Sequence, residues 1–110
     1  MEDCIFCKIR DGIIPSPKVY EDDDFFIISD IHPKAKRHYL AIPNNHYALI
    51  IEQSKNDVEL LGKILNKIPN LASQLGIEDG YRLIINQGKN GRQEVKHLHV
   101  HILGGEKLPE

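Results

Sequence analysis

The sequence has no tryptophan, one methionine, two cysteines and no long apolar run, and each shortage excludes something. With only Cys4 and Cys7 available, at most one disulfide can form, so the fold is not of the stapled kind found in small secreted domains. The longest apolar stretches, such as Phe25-Phe26-Ile27-Ile28 and Tyr47-Ala48-Leu49-Ile50-Ile51, fall far short of the ~20 residues that a membrane-crossing helix requires. No membrane partner is expected. Met1-Glu2-Asp3 is acidic and no apolar segment follows it, so no secretory signal is expected and a cytoplasmic location is read. The net charge is only -2, with lysines and arginines scattered, which gives no basic track for a nucleic acid polymer. A small polyanion can still be held by a few placed groups. No repeat, low-complexity tract or linker composition divides the 110 residues, a length that suits one core, so a single domain, 1–110, is expected.

What is present reads as short strands with one long helix among them. Residues 4–10 can make a helical turn or two, ended by Gly12 and the Pro15-Ser16-Pro17 turn. Val19-Tyr20 and residues 25–29 flank the acidic turn Asp22-Asp23-Asp24, the pattern of a hairpin. Residues 38–42 are β-prone and stop at Pro43 and Asn44-Asn45. Asn56 with Glu59 resembles a capping box, and Val58, Leu61, Leu65, Ile68, Ala72 and Leu75 follow at spacings of three and four, with Leu71 beside the stripe. This predicts a helix over 56–75, stopped by Gly76 and kinked or broken at Pro69. Strands are predicted over 81–85 and 97–103. Four or five strands joined by tight turns, with the helix inserted late, suggest an antiparallel α+β domain.

The feature that carries chemistry is His97-Leu98-His99-Val100-His101-Ile102. A period of two puts the three imidazoles on one face of a strand and the three aliphatic residues on the other. Three of the six histidines on one face within five residues form a constellation that either reacts or chelates a metal, since His-x-His on a strand can bind zinc. Neutral imidazole is a nucleophile near neutral pH and can form a covalent bond to phosphorus, with flanking imidazoles moving protons. The loop of residues 86–94 supplies amides and glycines suited to surrounding an anion, although a solvated connection would have the same composition.

With its flanks, this segment resembles the histidine triad (HIT) family. The similarity runs through Asp3-Cys4-Ile5-Phe6-Cys7-Lys8-Ile9, Ile14-Pro15-Ser16, Tyr20-Glu21-Asp22, Ser29-Asp30-Ile31 and His38-Tyr39-Leu40-Ala41-Ile42-Pro43, and ends on the triad with Leu103-Gly104-Gly105. The third histidine and the glycine pair are similar to the Hint-like nucleoside phosphoramidase branch. The resemblance implies a HIT fold, an about five-stranded antiparallel sheet with one long helix and a short N-terminal helix, and a homodimer. It implies a purine nucleotide hydrolase acting at the α-phosphate, of the adenosine 5'-monophosphoramidase kind, with His99 as nucleophile through a nucleotidyl-histidine and His101 assisting proton transfer. Asn86 and Gln93 then match residues that hydrogen-bond near the phosphate, Asp30 the acid that takes the ribose hydroxyls, and Ile5, Phe6, Ile9, Ile28, Ile31 and Leu40 the apolar purine slot. His38 lies where relatives place a histidine near the active site. Glu94 stands beside the leaving group where animal members have serine. Two other functions stay open: a nucleotide-binding interaction protein with weak or vestigial activity, and a dinucleoside polyphosphate hydrolase.

Cys4-x-x-Cys7 by itself is compatible with a zinc pair or a redox dithiol, although no strand precedes it as redox motifs require. Tetrahedral zinc needs two more ligands, which His46 and His97 can supply. Many bacterial HIT proteins are similar in this Cys, Cys, His, His set. A structural zinc on Cys4, Cys7, His46 and His97 is therefore expected, leaving the chemistry to His99.

Overall fold

In the computed structural model, which describes residues 3–54 and 57–110, the strands form one sheet. They are β1 (Lys18–Glu21), β2 (Phe25–Ser29), β3 (Arg37–Pro43), β4 (Tyr81–Ile84) and β5 (Val100–Gly104), in the spatial order β1-β2-β3-β5-β4. Every neighbouring pair is antiparallel. The first hairpin closes on Asp22, whose carboxylate accepts from the Asp24 and Phe25 amides at 2.7 and 2.9 Å, so the acidic turn satisfies its own backbone. A short helix, α1 (Ile5–Arg10), precedes the sheet, and a longer one, α2 (Leu60–Leu75), lies between β3 and β4.

The two-residue alternation of the strands sorts the apolar residues onto two faces. Phe25 and Ile27, Tyr39 and Ala41, and Val100 and Ile102 point to α2, where they pack with Ile64, Ile68, Leu71 and Leu75. Phe26 and Ile28, and Leu40 and Ile42, point the other way and pack with Phe6 and Ile9 of α1. Leu40 pairs with His101 across the β3–β5 ladder, which places the histidines on the α1 face.

Several expectations shift in detail. The buried stripe of α2 is Leu60, Ile64, Ile68, Leu71, Ala72 and Leu75. In its first half the buried face is therefore rotated by about one residue from the expected line through Leu61 and Leu65, which are partly buried, while Val58 is exposed before the helix begins. A run of 60, 64, 68, 71 and 75 keeps the 3.6-residue period continuous, and that continuity decides which face is buried. The expected cap residue Asn56 lies outside the described residues. The helix runs without a break through Pro69, which sits on the exposed side where water can serve the carbonyl left without a donor. Tyr39 Oη donates to the Leu75 carbonyl at 2.8 Å and fastens the end of α2 to the sheet. The last strand begins at Val100 rather than at residue 97. Residues 97–99 lie outside the ladder, and Leu98 N–H donates instead to the Tyr47 carbonyl at 2.8 Å. The inward and outward alternation survives there, since Leu98, Val100 and Ile102 are all fully buried.

Candidate active site and metal site

A cavity of about 650 Å³ lies between α1, the second face of β2 and β3, the triad segment and the loop before it. Ile5, Phe6, Ile9, Ile28, Asp30, Ile31, Leu40, Asn86, Glu94, His99 and His101 line it, eleven of the twelve residues expected to meet a nucleotide. Gln93 is the exception. Its side-chain oxygen accepts from Gly88 N–H at 2.9 Å and its amide donates to the Ala48 carbonyl at 2.7 Å, so Gln93 holds the loop in place. Gln87 does the same from the other side, accepting from Ile50 N–H at 2.8 Å. Ile14, Pro15, Ser16, Ser29, Lys34, Gly91, Arg92 and Val95 also line the cavity. For Lys34 and Arg92 the sequence carried no signal beyond charge in a loop. Ile5 and Ile31 leave 43% and 85% of their surface exposed at this wall, apolar area that a flat ligand would cover.

The hydrogen bonds fix the protons on the imidazoles. His99 Nδ1 lies 2.8 Å from the His97 carbonyl, which can only accept, so Nδ1 carries the proton and Nε2 keeps its lone pair. Burial pushes the His99 pKa below its ordinary value, against the pull of that carbonyl and of Asp30, so the ring is neutral at pH 7. Phe6 meets its edge, with ring centres 5.1 Å apart. His38 is buried, and its Nδ1 accepts the Lys34 backbone N–H at 3.1 Å. A neutral His38 therefore bears its proton on Nε2, which lies 3.0 Å from His101 Nδ1 and 3.4 Å from Asp30. Donation from His38 makes His101 Nδ1 an acceptor and leaves the His101 proton on Nε2. Burial, then the neighbouring His99 and His38, holds the His101 pKa down to about 4. Asp30, His38 and His101 lie close enough together to suggest a cation site, but His38 Nε2 bears a proton in this network and offers no lone pair to an ion. The site thus presents one imidazole with a free lone pair, His99, and one with an N–H, His101.

A second cluster adjoins the first. Cys4 Sγ and Cys7 Sγ lie 3.3 and 3.6 Å from His97 Nδ1, Cys7 Sγ is 3.3 Å from His46 Nδ1, and the two Nδ1 atoms are 3.1 Å apart. Bonds of ~2.0–2.3 Å to a tetrahedral zinc put its ligand atoms roughly 3.3–3.8 Å from one another, so the spacing fits. The tautomer fits as well, because His97 Nε2 faces the Pro43 carbonyl at 2.8 Å and must carry the proton, which leaves the Nδ1 lone pair aimed at the thiols. Burial lowers the pKa of His97, to about 4, and that of His46, keeping both rings available as neutral ligands. Cys4 caps α1, its sulfur accepting from Cys7 N–H at 3.4 Å. His97 is fully buried, and its ring belongs to this cluster while its carbonyl orients His99.

Comparison with known proteins bears on the fold and the family. Residues 3–108 match the family model described as "Scavenger mRNA decapping enzyme C-term binding". A histidine triad protein from Clostridium difficile is 45% identical and superimposes with a TM-score of 0.92, covering 100% of this chain and 96% of that one. A HIT family hydrolase from Legionella pneumophila Philadelphia 1 is 44% identical with a TM-score of 0.89, covering 97% of this chain and 96% of that one. A zinc-bound histidine triad family protein from Mycobacterium smegmatis is 32% identical with a TM-score of 0.81, covering 96% and 76%. With the five-stranded sheet, the alternating histidines and relatives matched over nearly their whole length, the chain belongs to the histidine triad family.

Proposed function

We propose that the chain hydrolyses purine nucleotides at the α-phosphate, with nucleoside 5'-phosphoramidates as substrates and His99 as the covalent nucleophile. The observation that carries this reading is the bond from His99 Nδ1 to the His97 carbonyl, which leaves an unprotonated Nε2 on a ring lining the cavity. In the first step His99 Nε2 attacks the α-phosphorus and the bond from phosphorus to the amine nitrogen breaks. The departing amine takes the proton of His101 Nε2–H, while His38 Nε2–H stays hydrogen-bonded to His101 Nδ1 and steadies that ring. In the second step water attacks phosphorus and returns a proton to His101 Nε2, the bond to His99 Nε2 breaks and the nucleoside monophosphate leaves. Asn86 and the loop amides hold the phosphate oxygens, Asp30 accepts the ribose hydroxyls, and the purine lies among Phe6, Ile9, Ile28 and Leu40, with Ile5 and Ile31 at the rim.

Zinc on Cys4, Cys7, His46 and His97 would act on the structure: four protein ligands leave no open position, so it ties α1 to the triad segment. The reading extends to a cytoplasmic homodimer. No helix among the described residues is long and apolar enough to cross a membrane. Support for a dimer comes from the family resemblance and from β4, an edge strand with Ile84 exposed, next to which a second copy could pair. The test is steady-state turnover of adenosine 5'-phosphoramidate, followed by acid-free quenching to trap adenylyl-His99. Nucleotide binding without turnover above background would overturn the hydrolase and leave an interaction protein.

A further inference from the structure

The loop that faces the cavity ends in a backbone motif that occurs three times among the described residues. At the end of α1, Ile13 N–H donates to Lys8 O at 2.8 Å and Gly12 N–H to Ile9 O at 3.1 Å. At the end of α2, Ile77 N–H donates to Ala72 O at 2.9 Å and Gly76 N–H to Ser73 O at 3.1 Å. In the loop, Gln93 N–H donates to Gly88 O and Arg92 N–H to Lys89 O, both at 3.1 Å. These nested bonds are those of the Schellman motif, whose penultimate residue adopts the left-handed conformation and is usually glycine. Gly12 and Gly76 follow the rule, with φ of 77° and 74°. Arg92 does not: its φ is 62°, the one positive value outside glycine among the described residues.

A side chain at that position opposes local backbone preference, and such exceptions concentrate where the side chain has work to do. Gly12 and Gly76 do not line the cavity, whereas Arg92 does. The Arg92 side chain is exposed and has no hydrogen bond or ion pair to the described residues. Lys34, likewise exposed, lines the same cavity, and its charge is felt at His38 and His101. Of the two acids in the lining, Asp30 is engaged by the His32 amide and His38, which leaves Glu94 as the opposing charge. Two uncommitted cations against one uncommitted acid favour an anionic guest.

We propose that Arg92 is a specificity-determining residue that binds a second phosphate, the β-phosphate of a nucleoside diphosphate or of a longer phosphate chain, beyond the α-phosphate held by the triad. The planar guanidinium can offer two parallel N–H donors to phosphate oxygens, which a point charge cannot. This inference rests on the nucleotide reading of the cavity, but not on turnover.

The test is calorimetric binding of AMP and ADP, without magnesium, to the wild-type chain, Arg92→Gly and Arg92→Lys. Glycine suits the left-handed position, so Arg92→Gly should melt at or above the wild-type temperature. The ratio Kd(AMP)/Kd(ADP) should fall about tenfold in Arg92→Gly, the scale of one charge-assisted hydrogen bond, and should fall less in Arg92→Lys. An unchanged ratio in Arg92→Gly overturns this inference alone, and a lower melting temperature with that unchanged ratio would assign Arg92 to the fold. Failure of AMP to bind the wild type would remove the nucleotide reading and this inference with it.

Discussion

Acid should weaken this protein partly through the histidine cluster of the cavity, and His101 allows the size of its share to be worked out. Its pKa is lowered from 6.5 to about 4 by burial and by His99 and His38 beside it, with Lys34 adding to the shift and Asp30 opposing it. The unfolded chain takes up a proton at this position as pH falls through 6.5, whereas the folded chain resists until about 4. The stability due to a neutral His101 is therefore intact above 6.5 and is lost progressively down to about 4. At pH 5 a shift of this size corresponds to roughly 2 kcal/mol, and partial exposure of the ring brings the expected loss to about 1–2 kcal/mol. His38 and His99 are shifted in the same direction, so the cluster as a whole loses more stability on acidification than His101 alone. The assay is urea denaturation of the wild type and of His101→Asn at pH 7.5 and pH 5. Carboxylate titration and any loss of metal occur in both proteins and cancel in the difference. The variant should lose about 1–2 kcal/mol less than the wild type on acidification. Equal losses would refute the argument.

Three further outcomes are expected. Protein purified without added metal should carry zinc in one-to-one ratio by elemental analysis, and stripping it should lower the melting temperature more than it slows turnover, because metal affinity at a structural site is folding free energy; a metal-free protein with an unchanged melting temperature would contradict this. Asp30→Ala should raise KM for a ribonucleotide substrate with kcat little changed, and should affect a 2',3'-dideoxy analogue much less; equal losses on both would remove Asp30 from the ribose. His99→Ala should fold and bind AMP yet lose turnover by several orders of magnitude, while His101→Ala costs about 10²–10⁴-fold, the scale of one proton-transfer group; near wild-type turnover by His99→Ala would end the nucleophile assignment.

Period and local chemistry made most of the fold legible. The alternation in residues 97–102 placed three histidines on the α1 face and three aliphatic residues in the α2 core, and it held even where the ladder ended, because burial of Leu98 and Val100 fixes the faces whether or not the strand bonds persist. The turn at Asp22 was legible because a carboxylate that bonds its own backbone makes a turn locally. The rotation of the α2 stripe was not, because Leu60 and Leu61 are equally apolar and only the sheet they meet decides which is buried. Gln93 shows a different limit. An amide one residue from Glu94 has the right chemistry for a phosphate, but the free carbonyl of Ala48 and amide of Gly88 lie within reach and claim it first. His38 could be located by resemblance, but its tautomer depends on the Lys34 backbone amide, which no side-chain pattern encodes.

His97 belongs to the Cys–His cluster and to the proposed active site at once. Its ring nitrogens have opposite duties: Nε2–H goes to the Pro43 carbonyl, and the Nδ1 lone pair goes to the cluster with Cys4, Cys7 and His46. Both fix the residue from its side chain. Its backbone carbonyl is then the acceptor that keeps the His99 proton on Nδ1, the tautomer the proposed attack requires. Were His97 free to rotate, its carbonyl would move with the peptide, and the proton of His99 could settle on Nε2, where it would block attack. The Cys-x-x-Cys motif is therefore linked to His99, the proposed nucleophile, through the His97 ring it contacts and the 2.8 Å hydrogen bond to the His97 carbonyl, without touching it. In the proposed mechanism, rigidity at that cluster sets the protonation state of His99 Nε2.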